Sequence, residues 1–282
     1  MKCAWQEFIS LLPVWMRRDV NILGADTLQE LRLRVQHNPI LIRSNGTVSI
    51  ERTVTQDDIL FCINAASKYS PWTAGSIADG YITAPGGHRI GICGQASVEK
   101  GQMTGISVPT SICIRVARDF VGISKAMEGI SGSLLILGRP GSGKKTLLRD
   151  VIRSRSENQE GSIGVVDHKC EIFPHVHNVG CFVSGRNTDI LHNCPKPHGI
   201  EAILRNMGPS VIAVDEITAE EDCKALLHAG WCGVDILATA HAGNVSDLHA
   251  RPIYRSIVES KLFSKVVVLR PDKSWYIERI KS

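Results

Sequence analysis

The run Gly138-Arg139-Pro140-Gly141-Ser142-Gly143-Lys144 fits the pattern G-x-x-x-x-G-K, and its residue types suit one task, holding a chain of phosphates. Glycines let successive backbone N–H groups turn inward around an anion, and a helix N-terminus behind them adds partial positive charge. Lys144 supplies a point charge for the β- and γ-phosphates. The flanks agree: the apolar run Leu134 to Leu137 precedes the motif, and Thr146 to Arg153 reads as the helix it opens. ATP is therefore the expected ligand of Gly138 through Thr146. The motif departs from its pattern at the next position. A Ser or Thr there offers a hydroxyl to Mg²⁺, but this chain has Lys145, with Thr146 one residue later. An ammonium has no lone pair to give a metal. Pointing inward, Lys145 repels Mg²⁺ and attracts the γ-phosphate; pointing to solvent, it leaves the gap to Thr146 or a water.

A second group of residues completes the chemistry. In "VIAVDEI" an apolar run, Val211 to Val214, ends in Asp215 and Glu216. Carboxylates at that end of a parallel strand face the phosphate loop, so Asp215 is expected to bind Mg²⁺ directly or through water. Glu216 is then placed to orient or deprotonate the attacking water. Thr239-x-His241 follows the apolar stretch "DILA" and offers a polar sensor for the γ-phosphate. A rival cluster lies at 168–198, where His168, Cys170, His175, His177, Cys181, His192, Cys194 and His198 fall close together. Its spacing matches no structural zinc pattern.

Apolar runs and helical segments alternate through the second half: "LLILG", "KTLLRDVIRSRS", "SIGVVD", "GIEAILRNM", "VIAVDEI", "EEDCKALLHAG" and "VDILATAH". Such runs are strands buried on both faces, and the alternation predicts a doubly wound α/β domain with a parallel sheet. The first half differs. Trp5, Phe8, Ile9 and Leu12 have helical spacing that ends at Pro13, and Asp26, Thr27 and Glu30 read as a capped helix start or tight turn. "LRLRV" alternates as a strand, two short strands flank Asn45-Gly46, and residues 56–68 read as a helix. Gly-rich strands follow with a turn at Gly86-Gly87, then the strand "SICIRVAR". We expect a smaller α+β domain over 1–128 and the α/β domain over 129–282.

Composition excludes several classes. Of 282 residues, 43% are hydrophobic and 21% charged, which is ordinary for a globular chain with a core. The net charge of +4 is small and its basic residues are dispersed, so no nucleic-acid partner is expected. No apolar run approaches the roughly 18 residues of a membrane-spanning helix, and the N-terminus does not read as a signal peptide. Nine cysteines without a C-x-x-C pair fit a cytoplasmic protein with free thiols.

Taken together, "RLRVQHNPILI", "GYITAPGGHRIGICGQA", "GRPGSGKKTLLRD", "IGVVDHKCEI", "TDILHNCPKPHGI", "RNMGPSVIAVDEI" and "ATAHAG" give the chain, over roughly residues 15 to 280, a resemblance to the stage III sporulation protein AA family, relatives of the type II and type IV secretion ATPases. The resemblance implies a RecA-like P-loop domain behind an N-terminal domain, assembling as a ring, a homo-hexamer, that powers or builds a membrane-spanning complex in sporulation through a membrane protein partner. It also implies an acidic box that helps catalysis. Where the family reads Asp-Glu-Arg-Ser-Glu, this chain has Asp167, His168, Lys169, Cys170 and Glu171. Glu171 keeps the outer acid. Arginines from a neighbouring subunit or domain stabilise the transition-state charge in such rings, and Arg89, Arg115 and Arg205 are the candidates here. The changes at Lys145, His168 and Lys169 leave an alternative open: a nucleotide-binding scaffold or switch with little hydrolysis.

Overall fold

The computed structural model describes residues 1–67, 80–158, 161–176 and 179–280. The chain folds as two compact units, Met1–Asp119 with Pro174–Phe182, and Phe120–Phe173 with Val183–Ser282.

In the first unit, α1 (Trp5–Ser10) buries Phe8 and Ile9. Pro13 stops that helical run but does not end helical structure. It stands immediately ahead of α2 (Val14–Thr27), where a residue without an N–H loses no hydrogen bond. The backbone leaves helical geometry at Gly24 (φ +73°), so residues 25–27 form a single turn after that break, the tight turn expected at Asp26 and Thr27. The Thr27 hydroxyl bonds the Leu23 carbonyl at 2.5 Å, and the strand begins at the next residue. The six-stranded sheet is antiparallel throughout, in the order β3-β2-β1-β6-β5-β4. Its strands are β1 (Leu28–Arg34), β2 (Ile40–Arg43), β3 (Gly46–Ser49), β4 (Tyr81–Thr83), β5 (Arg89–Glu99) and β6 (Gln102–Arg115). Along β1, Leu31 and Leu33 are buried and Arg32 and Arg34 are not, the period of two expected from "LRLRV". Helix α3 (Gln56–Ser67) buries Ile59 and Cys62 in this unit's core; Lys68, the expected end of that helix, lies outside the described residues.

The second unit is built on a seven-stranded sheet. Its first members are β7 (Leu134–Leu137) and β8 (Ile163–Asp167). The two-residue strands β9 (His175–Val176) and β10 (Val179–Gly180) then pair with each other and count with the first unit. The sheet continues with β11 (Thr188–His192), β12 (Val211–Glu216), β13 (Asp235–Ala240), β14 (Lys265–Leu269) and β15 (Trp275–Arg279). The order is β11-β8-β12-β13-β7-β14-β15, parallel except for the last pair. Its helices are α4 (Lys144–Asn158), α5 (Lys196–Met207), α6 (Glu220–Trp231), α7 (Val245–Ala250) and α8 (Arg255–Glu259). All four residues of β7 and all five of β8 are buried, as continuous apolar runs in a parallel sheet require.

The units divide at Asp119/Phe120, ahead of the boundary expected near 128. Helix α4 is the reason. Its Asp150 accepts the N–H groups of Gly122 (2.9 Å) and Ser124 (2.7 Å), and Arg153 pairs with Asp150 at 2.7 Å and donates to the Phe120 carbonyl. Arg155 donates to the carbonyls of Gly132 (2.9 Å) and Ile130 (3.0 Å). The segment ahead of β7 is thus strapped to α4.

Burial pushes the Asp150 carboxyl up, but the Ser124 and Gly122 N–H bonds and the Arg153 guanidinium outweigh it and hold it below the ordinary carboxylate range. A depressed folded value means stability that is present above the unfolded value and lost as pH falls through the folded one. Asp150→Asn should cost about 3 kcal/mol in urea unfolding near pH 7, and the gap to wild type should be narrower at about pH 3, below the unfolded value of 3.8. An equal cost at both pH values would show that the carboxylate charge is not what fastens this segment.

Candidate functional site

β7 delivers the chain to Gly138, where a Cβ would stand 2.4 Å from Ser142 Oγ, so any side chain there would have to displace Ser142. Gly143 has a φ of +100°, which a residue with a side chain adopts only under strain. Lys144 opens α4 and folds back: its Nζ donates to the carbonyls of Gly138 (2.7 Å) and Arg139 (3.2 Å). Lys273 Nζ donates to the Gly141 carbonyl at 2.6 Å and closes the loop from outside. Burial pushes the Lys144 pKa down to about 8; Glu216 resists this and Lys145 adds to it.

Next to the loop, β12 carries Asp215, 5% exposed, and Glu216. Lys145 points inward. It forms an ion pair with Glu171, and its Nζ lies 3.6 Å from Asp215 Oδ2. On the other side of the same carboxylate, Lys196 Nζ is 3.9 Å from Oδ1, which accepts no hydrogen bond. Burial raises the Asp215 pKa, against the pull of Lys145 and Lys196. Glu216 is joined to His241, with Oε1 and Nδ1 2.8 Å apart. Burial holds His241 below the ordinary histidine range, with Lys144 adding and Glu216 opposing. Thr239, on β13, is fully buried, and its Oγ1 has no hydrogen-bond partner among the described residues. A cleft of about 510 Å³ opens beside this group, lined among others by Lys145, Glu171, Lys196, Asp215 and Glu216.

The loop that carries Glu171 is braced from two sides. Asp167, at the end of β8, accepts the N–H groups of Glu171 (2.8 Å), Ile172 (3.0 Å) and Phe173 (2.8 Å). Arg149 of α4 donates to the carbonyls of Ile172 and Glu171. The turn between them puts Cys170 at a φ of +51°.

The family described as sporulation stage III, protein AA, matches residues 5–277. The chain belongs to that family. The stage III sporulation protein AA of Bacillus subtilis (strain 168) is 33% identical over 276 residues, which cover 93% of this chain and 90% of the relative. The solved structure of the pilus retraction motor PilT with bound ADP superposes with a TM-score of 0.63 at 15% identity, covering 92% of this chain and 78% of that one. The ATPase DotB of Legionella pneumophila gives 0.57 at 17% identity, covering 95% and 80%. The fold is that of RecA-like P-loop ATPases with an N-terminal α+β unit.

Against this family pattern the expected site residues separate. Lys144, Lys145, Glu171, Asp215, Glu216 and His241 come together within the second unit. Arg89 and Arg115 belong to the first unit, opposite each other on β5 and β6; Arg89 lies over the Tyr81 ring and Arg115 is 3.5 Å from Glu30. Arg205, exposed on α5, pairs with Glu201. Several residues of the His/Cys stretch brace loops: His168 Nδ1 lies 3.0 Å from the Cys194 carbonyl, His192 Nε2 lies 2.9 Å from that of Phe173, and Cys170 donates to Asn193. His175 and Cys181 count with the first unit, and His177 lies outside the described residues. Among the described residues no three His, Cys, Asp or Glu side chains are placed to hold a metal ion.

Lys196 was not foreseen. It is 8% exposed at the start of α5 and reaches the Glu216 carbonyl, Thr218 Oγ1 (3.0 Å) and Asp222 (2.7 Å). Only its place between Pro195 and Pro197 in the family segment sets it apart in sequence, since lysines are ordinarily solvated.

A lysine with a depressed folded pKa weakens the fold below that pKa, and the penalty fades as pH rises towards the unfolded value of 10.5. Lys144→Met should therefore leave the ligand-free protein at least as stable as wild type in thermal unfolding near neutral pH. Wild type should close that gap between pH 8 and 10.5. The same variant should weaken ATP binding by more than about tenfold in titration calorimetry, the loss of one charge-assisted contact or more. Unchanged affinity would remove the phosphate-loop assignment.

Proposed function

We propose that this chain binds ATP at Gly138–Thr146 and hydrolyses it as one subunit of a ring, a homo-hexamer, that drives or assembles a membrane-associated sporulation complex. The observation that carries this reading is the convergence of Lys144, at the head of α4, with Glu216 and His241. Backbone N–H groups of Gly138 to Gly143 and the Lys144 ammonium hold the phosphates. Glu216 orients and deprotonates the attacking water, and His241, hydrogen-bonded to it, fixes the carboxylate and senses the γ-phosphate. Arg89 and Arg115 are our candidates for the cations that ring ATPases bring from a neighbouring subunit or domain.

The side chains do not form a magnesium site of the usual kind. The position that should carry a hydroxyl is Lys145, and its ammonium stands on Asp215 and Glu171, the acids nearest such an ion.

Among the described residues no helix is long and apolar enough to cross a membrane. We place the protein in the cytoplasm and assign its membrane contact to a membrane protein partner. The scaffold or switch reading, with nucleotide bound but scarcely turned over, is favoured by one observation, the engagement of Lys145 with both acids.

Glu216→Gln separates the two readings. For a motor, ATP binding should hold while phosphate release falls by about a hundredfold, the range of a lost general base. If wild-type release is already at the level of the variant, the chain is a switch. Solution mass should rise towards a ring when ATP is added; a monomer at every concentration with and without ATP would count against the motor.

A further inference from the structure

Lys145 has more to do in this structure than a surface lysine. Its side chain is 28% exposed, and its ammonium holds Glu171 and stands 3.6 Å from Asp215. In the G-x-x-x-x-G-K-[ST] pattern this position supplies the hydroxyl that ligates a divalent cation. Lys196 closes the other side of Asp215 and is itself fixed by Asp222, Thr218 and the Glu216 carbonyl. A divalent ion arriving at Asp215 would meet positive charge on both sides of the carboxylate. One of those ammonium groups is tethered to the helix beside the phosphate loop, so it competes at a high effective concentration.

A purely structural role for Lys145, fastening the loop of Glu171, is redundant. That loop already gives three N–H groups to Asp167 and two carbonyls to Arg149. The ammonium is not needed to shape it.

We propose that Lys145 is the resident cation of this site, so that the chain takes a nucleoside triphosphate as the metal-free polyanion rather than as its magnesium complex. The proposal rests on the phosphate-loop reading above. An ammonium has three donors, enough to keep an acid and donate to a phosphate oxygen at once. It thereby links the acids of β12 and the Glu171 loop to the nucleotide, the bridge that a metal makes elsewhere. It makes this bridge without the octahedral shell that magnesium demands.

The test uses the full chain and ATP, titrated in EDTA and again in excess Mg²⁺. Wild type should bind at least as tightly in EDTA as in Mg²⁺. Lys145→Thr should lose about tenfold or more of its affinity in EDTA and regain it with Mg²⁺, since it restores the hydroxyl. Lys145→Arg, which keeps the charge, should stay within about threefold of wild type in EDTA. Melting curves check that each variant is folded, and Lys145→Met repeats the EDTA arm if Lys145→Thr is not. If wild type needs Mg²⁺ by tenfold or more, or if Lys145→Thr and Lys145→Met keep full affinity in EDTA, the resident-cation proposal is overturned and the phosphate-loop reading stands. Failure of wild type to bind ATP under both conditions overturns both.

Discussion

Three lysines are drawn out of water at one end of the parallel sheet, and the architecture around them follows from the need to satisfy their charges. A buried ammonium without acceptors is too costly to keep, so each has them. Lys144 uses the carbonyls of its own loop, Lys145 uses Glu171 and Asp215, and Lys196 uses Asp222, Thr218 and the Glu216 carbonyl. Asp215 lies between two of these cations, which is how a carboxylate 5% exposed, and raised in pKa by burial, finds counter-charge within 4 Å. Removing Lys145 or Lys196 changes the electrostatics of the other, because both stand on Asp215.

The backbone is arranged to keep this cluster in place. Parallel strands end at the same side of the sheet, which puts the phosphate loop after β7, Asp167 at the end of β8, Asp215 and Glu216 at the end of β12 and His241 after β13 along one edge. Side chains then tie the connecting loops down: Asp167 gathers three N–H groups, Arg149 takes two carbonyls, and Asp222 accepts the N–H groups of Thr218 and Ala219 ahead of α6. Helix α4 serves twice. Its first turn presents Lys144 and Lys145 to the site, and its later turns, through Asp150, Arg153 and Arg155, strap residues 120–133 to the same unit.

What local sequence determines here is whatever depends on neighbours in the chain. Leu134–Leu137 followed by Gly138 to Lys144 dictates a buried strand, a phosphate loop and a helix, because glycine backbone freedom and an unbroken apolar run allow little else. "LRLRV" dictates its strand by a period of two, and "VIAVDEI" places two acids at a strand end. The same local rules gave Pro13 as the end of one helical run but not as the start of the next, although a proline suits both places. At Asp26 and Thr27 they left a cap and a turn open, because those residue types serve either, and the turn after Gly24 is what forms. Tertiary structure decided the rest. Whether Lys145 faces solvent or the acids depends on where the Glu171 loop stands, which is set by Asp167 and Arg149 from two other elements. Lys196 became a buried partner of Asp215 only because α5 starts beside β12, and the unit boundary moved because α4 captures a segment more than 20 residues before it in sequence. Burial of a charge is a sum over contacts distant along the chain, so no window of sequence contains it.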